Sequence, residues 1–341
     1  MNYLVVKLSS MGDIIMSTPC LRAIRRADPT AHIAMAVGRE FLPLVEHNSY
    51  INEILVRETH GKTRRLRTIT QAVRTFASRR GPRFDFAFDL QGNFHSATWV
   101  YCSGATTKAG IGKHRIGWPT IVPADLTRHS SDLCATVLRQ CGIPVDDLMP
   151  ELHWSPDADR EVAQRLQQSG LPAKGFVLIS PFSLWRSKEW PQARYGSLIR
   201  RLEAQFGVPI VVTGTEIEGR HASELLQLIQ GTRAVSFVGD LSLEQVLCLY
   251  RRARLLISGD SGPMHAAAAL GTPVVALFGP TWPEVTGPQG SEHRVVQACR
   301  PPHHTTYREA DAQCYMLAIS EDEVFNAVSL SLVDKSAFLA G

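Results

Sequence analysis

The sequence predicts an α/β protein with two doubly wound, Rossmann-like domains that face a cleft. Short apolar runs alternate with amphipathic helical stretches through both halves of the chain. The alternation stops and begins again near residue 155, and 341 residues exceed what one hydrophobic core usually supports. We therefore expect an N-terminal domain over 1–155, a C-terminal domain over 156–320 and a terminal helix within 321–341.

The first domain should hold a parallel sheet. Helical patterns separate its apolar runs, and ligands of such sheets bind outside the carboxyl ends of the strands. The segment 9–13 lies there, directly after the first run. Strands are predicted at 4–8, 33–37, 53–56, 84–90 and 107–111.

Asp13 has two interpretations. It could cap the helix that follows the first strand, or its carboxylate could act as a general base at the mouth of the cleft. Position alone leaves both open. Ser10 and Gly12 share this segment, and we expect them on the side of the cleft that binds an acceptor.

The run Asp-Leu-Gln-Gly at 89–92 ends another strand, so its polar side chains can reach the same cleft. Gly92 permits a turn, and Asn93 offers a cap for the next helix. We expect Gln91 to support acceptor binding without taking part in the chemistry.

Positive charge is concentrated in the first half. The first 150 residues hold 19 Lys and Arg against 12 Asp and Glu, whereas the rest hold 17 against 20. Between 61 and 83 there are eight basic residues and no acidic one, around an amphipathic helix with a stripe formed by Leu66, Ile69, Val73 and Phe76. This could be a solvated face, but the charge favours an anionic partner, and Arg64 and Arg67 are candidates to bind it.

The second domain repeats the alternation, with strands predicted at 176–180, 209–213, 235–238, 255–258 and 274–278. A long loop at 181–191 carries Ser183, Arg186 and Lys188 after the first of them. Basic side chains at that strand end can hold a diphosphate.

The densest stretch of the chain is 258–281, which predicts a strand, a loop, a short helix and a strand. Pro263 suits the first helical position and Gly271 the residue after the last turn. The helix start offers N–H groups and a positive dipole end to an anion. Asp260 and Ser261 could simply cap an alanine-rich helix, but capping explains neither the glycines nor an imidazole. The predicted diphosphate ligands here are Asp260, Ser261, Gly262, Pro263, Met264 and His265.

Two acidic motifs have competing interpretations. In 214–218, Glu218 could accept hydrogen bonds from ribose hydroxyls, with Glu216 as the alternative and a plain surface turn as a third possibility.

Asp157-Ala-Asp159 matches the Asp-x-Asp pattern of metal-dependent glycosyltransferases. Ser155, Pro156 and the acidic residues that follow describe an ordinary helix start instead. We expect neither a metal site nor a cofactor.

Several classes of protein are disfavoured. The cysteines match no disulfide framework, and Cys299, His303, His304 and Cys314 match no zinc pattern. Neither domain has the Gly-x-Gly-x-x-Gly of a dinucleotide-dependent dehydrogenase, and no nucleic-acid recognition motif accompanies the basic stretch. No apolar run approaches the roughly 20 residues that span a bilayer. We expect a cytoplasmic protein, with peripheral association at the inner face of the inner membrane as the alternative.

Four motifs resemble glycosyltransferase family nine, the ADP-heptose lipopolysaccharide heptosyltransferases. Their order and spacing extend over almost the whole chain. The resemblance implies a glycosyltransferase B-type fold, a terminal helix that packs back towards the first domain, and Asp13 as the base. The motifs are Lys-Leu-Ser-Ser-Met-Gly-Asp at 7–13, Asp-Leu-Gln-Gly at 89–92, Lys-Glu-Trp-Pro at 188–191 and the run at 260–281, which begins with Asp-Ser-Gly-Pro-Met-His.

The predicted activity is inverting, metal-independent transfer of heptose from ADP-heptose to the inner core, Kdo-lipid A, of lipopolysaccharide. The expected partners are this donor, an anionic glycolipid acceptor and the surface of the inner membrane, with no nucleic acid. The Ser-Ser-Met-Gly-Asp motif is closer to that of enzymes that add the first heptose. The alternatives are another donor or acceptor within the family, a sugar-nucleotide epimerase, and a glycolipid-binding protein in which Asp13 is idle.

Overall fold

The computed structural model divides the chain into two compact units, Met1–His153 and Trp154–Gly341. Each has its own sheet and core. No helix in the described part of the chain combines the length and the apolar character needed to cross a bilayer. The structure describes residues 1–58, 65–112, 118, 120–125, 127–219, 222–302, 305 and 307–334.

The first unit holds a parallel sheet of six strands among its described residues, in the order β3-β2-β1-β4-β5-β6. Helices α2 and α3 pack together, as do α1 and α4. The elements are β1 (Asn2–Val6), α1 (Met11–Ala27), β2 (His32–Gly38), β3 (Glu53–Arg57), α2 (Arg65–Ser78), β4 (Phe86–Asp89), α3 (Phe94–Cys102), β5 (Thr107–Ile111), β6 (Thr120–Val122) and α4 (Ser130–Gln140).

The second unit has the same strand order, β9-β8-β7-β10-β11-β12. Its sheet is again parallel throughout the described residues. Its elements are α5 (Pro156–Gln168), β7 (Val177–Ser180), α6 (Gln192–Phe206), β8 (Ile210–Val212), α7 (Glu216–Gly219), α8 (Ser223–Leu228), β9 (Val235–Ser236), α9 (Leu243–Arg252), β10 (Leu255–Gly259), α10 (Gly262–Ala269), β11 (Val274–Leu277), α11 (Pro283–Thr286), β12 (Arg294–Val296), α12 (Cys314–Leu317) and α13 (Glu321–Asp334).

The central strands are buried on both faces, which explains why they appear as continuous apolar runs. Strands β7 and β10 have no exposed residue. The predicted α/β class with two doubly wound, Rossmann-like domains is confirmed by this topology.

The edge strands β6 and β12 were not predicted. Each has three residues, and β12 contains an arginine and the exposed Val295. Such short segments carry too little pattern to separate a strand from a loop.

The terminal helix α13 was predicted from 321 onwards, and its described part ends at Asp334. Val324, Phe325, Val328 and Leu332 join the core of the second unit, against α6 and the neighbouring strands. Packing towards the first domain remains a prediction.

Helix α2 forms within the predicted basic stretch, but its buried side is different from its apolar stripe. Thr68 and Ala72 are buried, whereas Leu66, Ile69 and Val73 are 69%, 40% and 50% exposed. An apolar stripe usually faces a core. In α2 the fourth residue of the stripe, Phe76, is partly buried and packs against the core, whereas Leu66, Ile69 and Val73 face outward.

Candidate functional site

Both sheets have a switch point where the strand order reverses. In the first unit the chain passes from β1 to β2 on one side and later returns to β4 on the other. In the second unit β7 and β10 are the corresponding pair. Ligands of open α/β sheets bind outside the carboxyl ends of the strands at such points. Asp13 and Gln91 follow β1 and β4 in the first unit, and Lys188 and Asp260 follow β7 and β10 in the second.

Asp13 is the third residue of α1, directly after β1. Its Oδ2 accepts hydrogen bonds from the Ser10 N–H at 3.2 Å and the Ser10 hydroxyl at 2.8 Å, so the capping interpretation is confirmed. Its Oδ1 lies 3.3 Å from the Lys7 ammonium, and the side chain is 41% exposed. Capping therefore does not use the whole carboxylate, and Asp13 can also contact a ligand. Gly12 precedes it and is buried at the second position of α1.

Lys7 was not predicted as a site residue, although it belongs to the first motif. It is buried at the end of β1, and its ammonium donates to the Leu90 carbonyl at 2.8 Å. Burial works against ionisation of Asp13, but the Lys7 charge and the Ser10 hydrogen bonds outweigh it and lower the pKa of Asp13. Burial likewise opposes the charge of Lys7, whose pKa is raised chiefly by Asp13. The pair is ionised at neutral pH.

Gln91 positions the loop after β1. Its Oε1 accepts from the Leu8 N–H at 2.8 Å, and its Nε2 donates to the carbonyl and hydroxyl of Ser9 at 2.7 and 2.9 Å. The turn at Gly92 has φ +75, and Asn93 accepts from two N–H groups at the start of α3, as predicted. Gln91 thus holds the segment that carries Asp13 in place.

One basic candidate of the first unit lies in α2. Arg67 is exposed in the first turn of this helix. Arg64 lies outside the described residues. Arg65, which sequence reasoning did not select, places its guanidinium 5.1 Å from the centre of the Phe94 ring at the start of α3.

In the second unit Lys188 and Asp260 meet, 72 residues apart in sequence. The ammonium lies 2.6 Å from Asp260 Oδ2 and 4.5 Å from the centre of the Tyr307 ring. Both charged groups are largely buried. An ammonium has three N–H donors, so this contact leaves others to serve an anion.

The backbones of the two segments touch at Gly259. A Cβ placed on Gly259 would lie 2.8 Å from the Lys188 carbonyl oxygen, so a larger residue would displace the loop. The sequence shows a glycine at the end of this strand, but only the contact with Lys188 explains why a glycine is needed there. The same loop contains Ser183, whose N–H donates to Glu189 Oε1 at 2.9 Å, and Arg186, which is exposed.

Helix α10 begins one residue earlier than predicted. Ser261 is its N-cap, Gly262 the first residue and Pro263 the second, and the Ser261 side chain makes no capping hydrogen bond. Met264 is fully buried and its N–H donates to the Ser261 carbonyl at 3.1 Å, so its side chain belongs to the core. His265 is also largely buried. The predicted turn residue Gly271 has φ +75, as expected.

Glu218 lies after β8, the neighbour of β7. Its Oε2 accepts from the Thr215 N–H at 2.7 Å, which closes the turn that starts α7. Glu216 is exposed in the same turn. The structure therefore keeps both candidates at the correct edge of the sheet.

The Asp-x-Asp pattern is a helix start, as predicted. Ser155 caps α5 by accepting from the Ala158 N–H, Asp157 pairs with Arg160, and Asp159 Oδ2 lies 2.9 Å from Arg252. Cys299 and Cys314 are exposed, and the two histidines between them lie outside the described residues.

Two doubly wound units with polar clusters at their switch points fit the class of B-type nucleotide-sugar glycosyltransferases. The model of glycosyltransferase family 9 (heptosyltransferase) matches residues 73–316. The chain belongs to this family and is a glycosyltransferase.

Known relatives and structures agree with this assignment. Lipopolysaccharide heptosyltransferase 2 of Escherichia coli K12 is 26% identical over 316 residues, 87% of this chain and 88% of the relative. Heptosyltransferase 1 of Pseudomonas aeruginosa is 25% identical over 303 residues, 85% of this chain and 82% of the relative. A family 9 glycosyltransferase structure from Veillonella parvula has a TM-score of 0.87 at 22% identity and covers 98% of this chain and 97% of that one.

Proposed function

We propose that the protein transfers heptose from ADP-heptose to the Kdo-lipid A inner core of lipopolysaccharide, with inversion and without a metal ion. The observation that carries this proposal is the pair of switch points, one with Asp13 beside the buried Lys7 ammonium and the other with a lysine beside a helix N-terminus. Family membership and the names of the relatives support heptose as the sugar.

Asp13 acts as the general base. The acceptor hydroxyl gives its proton to the Asp13 carboxylate while its oxygen forms a bond to the anomeric carbon. Lys7 and Ser10 keep the carboxylate ionised and oriented, and Gln91 holds the loop that carries it. We assign Ser10, Gly12, Arg64 and Arg67 to the acceptor side.

The bond from the anomeric carbon to the diphosphate breaks in the same step, and ADP leaves with the electron pair. Lys188, with Arg186 and Ser183, and the start of α10 from Ser261 to His265 stabilise that charge. Asp260 positions the Lys188 ammonium through their 2.6 Å contact. A single displacement inverts the anomeric centre. On the donor side, Glu218 accepts hydrogen bonds from the ribose hydroxyls.

The acceptor assignment is the finer part of the proposal. The relatives include heptosyltransferases of type 2 and type 1 at nearly the same identity, 26% and 25%, so identity does not select between them. The Ser-Ser-Met-Gly-Asp motif favours addition of the first heptose. Another sugar or acceptor within the family is the alternative, and family membership argues against the epimerase.

The test is an assay of ADP release with purified protein, ADP-heptose and either Kdo-lipid A or the same acceptor carrying one heptose. We expect release with the first acceptor and none without acceptor. Release only with the heptosylated acceptor would refute the first-heptose assignment. Turnover with UDP- or GDP-sugars and none with ADP-heptose would refute the donor.

A further inference from the structure

We propose that the outer side of α2 docks on an anionic lipid bilayer and inserts apolar side chains into the boundary between head groups and acyl chains. We call this surface the α2 face. It consists of the exposed part of the apolar stripe, Leu66, Ile69 and Val73, and a basic stripe, Arg67 and Arg74.

Leu66, Ile69 and Val73 form the exposed part of the apolar stripe of α2, and the core uses only the fourth residue of that stripe, Phe76. The three exposed residues are spaced by three and four, so they share one side of α2, and they are 69%, 40% and 50% exposed. The core receives Thr68 and Ala72 instead. Contiguous exposed apolar surface marks interaction sites, whereas single exposed apolar residues need no explanation.

Helix α3 widens the apolar surface. Phe94 in its first turn is 40% exposed, and the Arg65 guanidinium lies 5.1 Å from the centre of its ring. Thr68 Oγ1 and His95 Nδ1 are 2.7 Å apart, so the two helices lie side by side from their first turns. Ile69 follows Arg65 by one turn, so these two residues share one side of α2.

The basic stripe identifies the partner. Arg67 and Arg74 are exposed and lie seven residues apart, which places them together next to the apolar stripe. The sequence has no Asp or Glu from 59 to 84. Arg79 is different, because it is held by Glu53 and lies over the Phe84 ring.

Apolar and basic stripes on one helix fit the surface of an anionic bilayer, where the apolar side enters the lipid and the cations meet the head groups. A second copy of this chain fits less well, since a symmetric contact would bring two basic stripes together.

This proposal goes beyond heptose transfer and does not depend on it. Its test therefore uses vesicles without any sugar acceptor. The proposal can stand if the donor assignment fails, and it can fail while transfer to a lipid-free acceptor proceeds.

The first experiment compares Leu66→Ser/Ile69→Ser/Val73→Ser with a matched control, Leu317→Ser/Leu330→Ser/Val333→Ser. The control residues are 47%, 53% and 58% exposed in the second unit. Co-sedimentation is measured with vesicles of phosphatidylethanolamine and phosphatidylglycerol, at low and high salt.

We expect the α2-face variant to bind these vesicles at least about ten-fold more weakly than wild type at both salt concentrations, because salt does not screen apolar insertion. The control should bind as wild type does. Arg67→Gln/Arg74→Gln should weaken binding mainly at low salt.

A second measurement detects insertion of the α2 face directly, through the fluorescence of an introduced tryptophan. Brominated lipids should quench the tryptophan fluorescence of Leu66→Trp more than that of wild type. The control Leu330→Trp should show no increase in quenching over wild type. This keeps the proposal testable if the triple variant does not fold.

The proposal is overturned if wild type does not bind anionic vesicles, if the folded triple variant binds as wild type does, or if Leu66→Trp is not quenched. Conversion of a wild-type dimer to a monomer by the triple variant, measured by light scattering without vesicles, would assign the face to a second copy.

Discussion

Asp13 has two roles at the residue scale, a helix cap and a proposed base, and one pair of variants separates them. Asp13→Asn keeps an acceptor for the Ser10 N–H but cannot take the acceptor proton. We expect turnover to fall roughly 100-fold to 10,000-fold with donor affinity retained. Turnover and ADP affinity are measured together.

The chain offers a matched control in α13. Glu323 Oε2 accepts from the Ser320 N–H at 2.8 Å and the Ser320 hydroxyl at 2.7 Å, which is the same arrangement as Ser10 and Asp13. Glu323→Gln likewise keeps an acceptor for the Ser320 N–H, so we expect it to keep both its stability and its turnover. Near-normal turnover of folded Asp13→Asn would eliminate Asp13 as the base.

The effect of Lys7 on Asp13 should be visible in the pH dependence of kcat/KM. It lowers the pKa of Asp13, so removal of its charge raises that pKa. For Lys7→Met we expect the acid limb of the kcat/KM profile to move to higher pH, since Asp13 must be ionised to act. A variant that loses stability but keeps the wild-type limb would make Lys7 purely structural.

Lys188 is the residue whose charge should count most for the leaving group. For Lys188→Ala we expect weaker ADP binding and a fall in turnover of roughly 100-fold to 1000-fold, because the contact strengthens as diphosphate charge develops. Wild-type kinetics would remove Lys188 from the site. Steady-state rates and calorimetric ADP affinity provide the measurement.

At the scale of elements, the contact between β10 and the loop at 186–188 determines where Lys188 lies. Gly259→Ala would place a methyl group 2.8 Å from the Lys188 carbonyl oxygen. We expect the loop to shift and ADP affinity to fall roughly ten-fold to 100-fold, measured by calorimetry.

Gly271→Ala is the control, at the other end of α10. No atom would lie within 4 Å of its Cβ, but its φ of +75 disfavours alanine. It should lower stability by about 1 kcal/mol and leave ADP affinity unchanged. Equal ADP affinities for both variants would mean that the contact at Gly259 does not position Lys188.

At the scale of the whole molecule, the proposed mechanism requires charge stabilisation from the chain alone. Asp157 and Asp159 are used in a helix start and in ion pairs with Arg160 and Arg252. We expect the rate of transfer to be the same in EDTA and in magnesium. Activity that disappears with chelator and returns with magnesium or manganese would contradict the metal-free mechanism.

The sequence by itself determined five of the six strands in each sheet and the local caps. Apolar runs mark β7 and β10 because both faces are buried, and Asn93, Ser155 and Gly271 act on their own helices. These features depend on neighbours along the chain, so their signal is local.

Only the tertiary structure decided which side of α2 is buried, which charges pair, and which glycine touches a loop. Leu66 and Thr68 have helical positions that permit either side to face inward, and the fit against α3 selected Thr68. Lys188 and Asp260 meet because β7 and β10 are adjacent, an arrangement that no local pattern encodes. Contacts between distant segments depend on how whole elements pack, and packing is a property of the folded chain.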